Sequence, residues 1–195
     1  MLHTLAAIAR HSEDIRKSRF LAQAAPVETP EQALAYVQAI SDAGATHNCW
    51  AYRIGQAYRF NDDGEPGGTA GRPILQAIEG QGIDRVVVVV TRWYGGIKLG
   101  AGGLARAYGG TAAECLRLAE RVPIVAMARL GVHCEFAELT RMKARLKELD
   151  AEVEQENFDA NGVTLHLRLP QHQVAEARSR IVDISRGRSE AFSLD

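Results

Sequence analysis

Hydrophobic positions along the 195-residue chain change their spacing several times, and each change marks an expected element. "KSRFLAQAAPV" reads as a strand. In "TPEQALAYVQAISDAG", Leu34, Val37 and Ile40 share one helical face. Thr29 can cap that helix, Pro30 suits its first position, and Gln32 stands at the capping-box offset. "HNCWAYRIG" and "AYRFNDDG" form an expected hairpin around Gly55, and "RPILQAIEGQG" a short helix from proline to glycine. "RVVVVVTRW" is β-branched without alternation, which predicts a strand buried on both faces. From Gly103 onward Leu104, Tyr108, Cys115 and Leu118 recur at helical spacing. Gly109 and Gly110 lie inside that helix at about 1 kcal/mol each relative to alanine, so something must come close there.

After "RVPIV" the order becomes β-α-β-β-α-β. "IVAMARLGVHCEF" alternates. "AELTRMKARLKELDA" carries Leu139, Met142, Leu146 and Leu149 on one stripe, and Asn161-Gly162 marks a hairpin. "QHQVAEARSRIVDISRG" is a helix ended by Gly187, and "SEAFSLD" supplies a closing strand. The pattern predicts an α+β protein of two domains, 1–122 and 123–195, the second ferredoxin-like.

Composition narrows the classes. Hydrophobic residues at 46% and charged residues at 24% describe a globular protein, and a net charge of −1 excludes coating nucleic acid by bulk charge. Cys49, Cys115 and Cys134 are odd in number and far apart, which predicts neither a disulfide framework nor a zinc site. The start lacks the layout of a signal peptide, and no apolar run approaches the about 20 residues of a membrane span. A cytoplasmic protein is expected, with no membrane contact, no metal and no cofactor, as a monomer or weak homo-oligomer. The order of the first 16 residues is left open.

Chemistry concentrates in "RWYGGIKLGAGGLARAYGG", residues 92–110. Thirteen of the 18 glycines fall between Gly64 and Gly110, and no acid occurs from Arg85 to Ala113. A strand, a glycine loop and a helix in that order can aim backbone N–H groups at an anion. Arg92, Lys98 and Arg106 are the expected phosphate-binding cations, with Lys17, Arg19 and Arg72 as secondary ones. Gly95, Gly96, Gly100, Gly102 and Gly103 would allow close backbone approach, and Trp93 or Tyr94 would stack on a base. The competing reading is a tight reversal that needs small residues. "NDDGEPGGTAGRP" groups Asp62, Asp63 and Glu65, expected to orient Arg72 or Arg92 and brace the loop rather than hold a metal. A catalytic alternative is a pocket of His47, Cys49 and these carboxylates, with Cys49 as nucleophile.

"KSRF", "ATHNCWAYRIG", "DDGEPGGTAGRPIL" and "VVVVVTRWYGGIKLGAGGLARAYGG" closely resemble the YigZ/IMPACT family, over residues from about 17 to 115. Departures are small, such as Arg72 where lysine is usual and Gly67 where serine or alanine is. The resemblance implies a first domain like ribosomal protein S5 and domain IV of elongation factor G, and a second like domain V of that factor. It also implies a link to translation and its regulation, through RNA, the ribosome or a translation-associated protein partner. It brings no established reaction, so a binding protein rather than an enzyme is expected.

Overall fold

The computed structural model describes residues 2–194. The chain divides into two compact α+β units, Met1–Ile124 and Val125–Asp195.

The first unit holds β1 (His3–Leu5), β2 (Ala9–Ile15), β3 (Ser18–Pro26), α1 (Pro30–Ile40), β4 (His47–Ile54) and β5 (Ala57–Asn61). It continues with α2 (Gly71–Gly80), β6 (Val86–Trp93), α3 (Gly100–Leu118) and β7 (Arg121–Pro123). Five strands form an antiparallel sheet in the order β2-β3-β6-β4-β5. The valine run is its central strand. Val86, Val88 and Val90 pack with Ile74, Leu104 and Tyr108 of α2 and α3, while Val87 and Val89 pack with Ala33 and Val37 of α1. Two covered faces remove the need for alternation. The first residues are part of the fold: β1 pairs with β7, and β2 forms a hairpin with β3.

Helix α3 starts at Gly100, before the expected Gly103, so Gly102 and Gly103 fall in its first turn. Glycine is a poor helix former, which makes such a start read as loop; burying Leu104 and Tyr108 against the sheet supplies the missing stability. Gly109 also has a packing reason, because a Cβ there would stand 3.2 Å from Pro73 Cβ on α2.

The second unit contains β8 (Met127–Cys134), α4 (Phe136–Lys147), β9 (Glu152–Phe158), β10 (Val163–Pro170), α5 (Val174–Ser185) and β11 (Phe192–Ser193). Its antiparallel sheet has the order β11-β8-β10-β9. Leu130, Val132, Leu165 and Leu167 of the sheet bury against Met142, Leu146 and Ile181 of the two helices. The β9–β10 turn is a four-residue loop, 159–162, in which the Asp159 carboxylate accepts from the amides of Asn161 and Gly162. Among the described residues, no helix is long and apolar enough to cross a membrane.

Candidate functional site

Strand β6 delivers Arg92 to the end of the sheet, but its guanidinium does not reach the surface. Arg92 is 5% exposed, and its Nη1 donates to Glu65 Oε1 at 2.6 Å. The rings of Phe20 and Tyr94 lie 5.5 and 5.3 Å from its guanidinium carbon. Nη2 is 3.4 Å from the Ser18 hydroxyl, while Nε is buried without a partner. Arg92 is therefore corrected from phosphate-binding cation to one half of a buried ion pair. Breaking such a pair by removing one partner costs about 3–5 kcal/mol, since the remaining charge stays uncompensated.

Glu65 is the centre of a small cluster. The phenol of Tyr108 donates to the same Oε1 at 2.7 Å, and His47 Nε2 stands 3.7 Å away. His47 Nδ1 lies 2.7 Å from the Asp63 carbonyl oxygen, which can only accept; Nδ1 therefore carries the proton, and the ring is held in place. Burial pushes the Tyr108 phenol well above its usual range, so it stays a donor. Sequence reasoning placed Tyr108 on the inner face of its helix but missed its role, because its partner lies 43 positions away.

The acids of the preceding loop are occupied by the backbone. Asp62 accepts from the amides of Gly68, Ala70 and Gly71, and so fills the N-terminus of α2 with the protein's own carboxylate. Burial alone would raise the Asp62 carboxyl, but these three donors outweigh it and hold it below the usual range. Asp63 accepts from Asn48 N at 2.6 Å. Neither acid pairs with Arg72, which is exposed on α2. Cys49 is fully buried, its thiol donates to the Asp62 carbonyl, and burial raises it far above its usual range. A buried, protonated thiol is no nucleophile, which corrects the catalytic role offered for Cys49.

The glycine loop is shaped from both sides. Gly95 has no room for a side chain: a Cβ would collide with the Lys17 carbonyl. Protein backbone, not a ligand, occupies the space beside Gly95. Gly96 and Gly100 hold positive φ angles of 90° and 73°. Trp93 is half-buried with the Arg19 guanidinium over its ring, so those two residues occupy each other, whereas Tyr94 is 45% exposed.

Lys98 and Arg106 are exposed with no ion-pair partner among the described residues. They flank the N-terminus of α3, which has no side-chain cap and no acid in its first turn. On one side of that terminus lies a pocket of about 480 Å³. Tyr94, Lys98, Gly100 and Ala101 belong to its lining, and so do Glu65 and Arg92. On the other side a smaller recess is lined by Arg16, Leu99, Gly103 and Arg106. Arg16 was absent from the expected cations because "IRKS" lacks the Gly or Asn that usually signals a tight turn.

Residues 16–116 match the Impact N-terminal domain, a span that contains every residue of the pocket and all of the recess but Ile15. The chain belongs to the IMPACT family. Residues 132–188 match a domain of unknown function (DUF1949). An IMPACT family member of Thermus thermophilus is 49% identical over 89% of this chain and 97% of its own length. The IMPACT family member YigZ of Escherichia coli is 36% identical over 94% and 93%. Protein IMPACT of Homo sapiens is 41% identical over 95 residues, 44% of this chain and 29% of that protein. A solved structure described only as a hypothetical protein superposes with a TM-score of 0.78 at 35% identity, covering 100% of this chain and 97% of the other.

Proposed function

We propose that this IMPACT-family protein acts in translation or its regulation as a binding protein that holds RNA by its phosphates. The observation that carries the reading is a strip of exposed cations: Arg16, Lys17, Lys98 and Arg106 around the uncapped start of α3. Arg16 and Lys17 form the two-residue turn between β2 and β3, and both adopt left-handed backbone, φ 46° and 67°. Left-handed backbone costs about 1–2 kcal/mol for each such residue. Two long cations held there at a cost point to a use for their charge. Tyr94 supplies an exposed ring for a base. The same reading takes in the likeness to ribosomal protein S5 and elongation factor G that the family resemblance implies, but folds host many functions and the cations carry the proposal.

The test is filter binding of structured and single-stranded RNA across a salt series. Affinity should fall steeply with salt, and Lys98→Ala or Arg106→Ala should each flatten the log–log slope by about 0.7–0.9 for the phosphate lost. Absence of binding at low salt would remove the reading. Capture of a protein that survives nuclease treatment would transfer the strip to a protein partner.

A further inference from the structure

We infer that the pocket beside Tyr94 is a binding site for one nucleoside 5′-monophosphate, either free or as the end of an RNA strand. The inference rests on the RNA reading above and deepens it, because a basic strip explains affinity for phosphate but not the polar floor of the pocket.

Three parts of the pocket match three parts of a nucleotide. At the rim, α3 begins at Gly100 without a side-chain cap or an acid, so the first-turn amides have no side-chain acceptor, and Lys98 stands beside them. That arrangement takes a phosphate. The protein fills the equivalent position on α2 with Asp62 and has put nothing comparable at α3. Along the wall, the half-exposed Tyr94 ring and the apolar Pro66, Leu99 and Leu104 offer a slot for a planar base. A volume of about 480 Å³ lies within the ordinary range of small-ligand pockets.

The floor carries the independent observation. Glu65 is 8% exposed, and both hydrogen bonds it receives fall on Oε1, so Oε2 has no partner among the described residues. Glu65 lines the pocket, and a carboxylate oxygen left without a protein partner there can be completed by a ligand donor. A carboxylate oxygen can only accept. It therefore takes an N–H donor of the base: the exocyclic amino group of cytosine, adenine or guanine, or the N3–H of uracil. Arg92 and Tyr108 fix Glu65 from the protein side, so the acceptor is held in place before the ligand arrives.

Titration calorimetry of the full chain with CMP, AMP, GMP and UMP, and with cytidine, tests the site. At least one of the four nucleotides should bind, and cytidine should bind at least tenfold more weakly than CMP. Ala101→Glu places a negative charge where the phosphate sits, yet suits a helix N-terminus. It should lower nucleotide affinity at least tenfold without lowering the melting temperature. Tyr94→Ala, at an exposed position, should also weaken binding. No mononucleotide binding at millimolar concentration, with RNA binding intact, overturns the pocket and leaves the basic strip standing; loss of both overturns both readings. Indifference of nucleotide affinity to Ala101→Glu and Tyr94→Ala together would also overturn it. A short RNA bearing a 5′-phosphate, compared with its 5′-hydroxyl twin and competed by CMP, separates the two sources. A tighter, CMP-sensitive complex identifies a strand end; equal, CMP-insensitive complexes identify a free nucleotide.

Discussion

Gly95 and Gly102 belong to one segment, yet a methyl group would meet a different fate at each. At Gly95 it would strike the Lys17 carbonyl, a backbone atom that cannot yield. At Gly102 the nearest neighbour is the mobile end of Arg106, 3.5 Å away, and φ is not positive. Packing therefore accounts for Gly95 and leaves Gly102 without a structural reason. Gly102→Ala should stabilise the protein by up to about 1 kcal/mol through helix propensity. If RNA phosphate approaches the α3 amides, the same variant should bind RNA more weakly. Urea unfolding and filter binding on one preparation check both, and unchanged RNA affinity would place the strand elsewhere.

Two short elements show how local conformation and charge trade against each other. In the β2–β3 hairpin, Arg16 and Lys17 occupy the positions where Asn-Gly is favoured, because both need positive φ. Replacing them, Arg16→Asn with Lys17→Gly, should raise stability by about 1–2 kcal/mol while lowering RNA affinity and its salt dependence. Opposite signs in the two measurements distinguish a functional turn from a tolerated one. The loop before α2 depends on pH through Asp62, whose carboxyl is held below its unfolded value. Its contribution is complete above the unfolded-chain value of about 3.9 and is lost as the pH falls through the lower folded value. Acid denaturation of Asp62→Asn should show a shallower loss over that window than the parent protein.

At the scale of the whole molecule, each unit owns its core. Val86–Val90 organise the first, and Leu165 and Leu167 lie at the centre of the second. Leu165→Ala, at a fully buried position, should cost the second unit about 2–5 kcal/mol. Hydrogen exchange should then report lost protection in β10 while the amides of β6 keep theirs. Equal loss in both strands would mean that the two units unfold together.

Much of this architecture was legible in the chain because its causes are local. Apolar spacing placed α1, the valine strand and the helices of the second unit, since a period of 3.6 or an uninterrupted β-branched run reflects contacts repeated along one element. The turns were clear where glycine or asparagine marked them and opaque at Arg16–Lys17, where they do not. The site divided along the same line. The cationic, acid-free stretch was visible as composition, but which cations are free was decided only by tertiary structure. Glu65 lies 27 positions from Arg92 and 43 from Tyr108, so an acid missing from the local sequence was supplied in space by the fold. Neutralisation depends on distance between side chains, not on separation along the chain. That is why Arg92 became part of the floor while Lys98 and Arg106 remained at the surface.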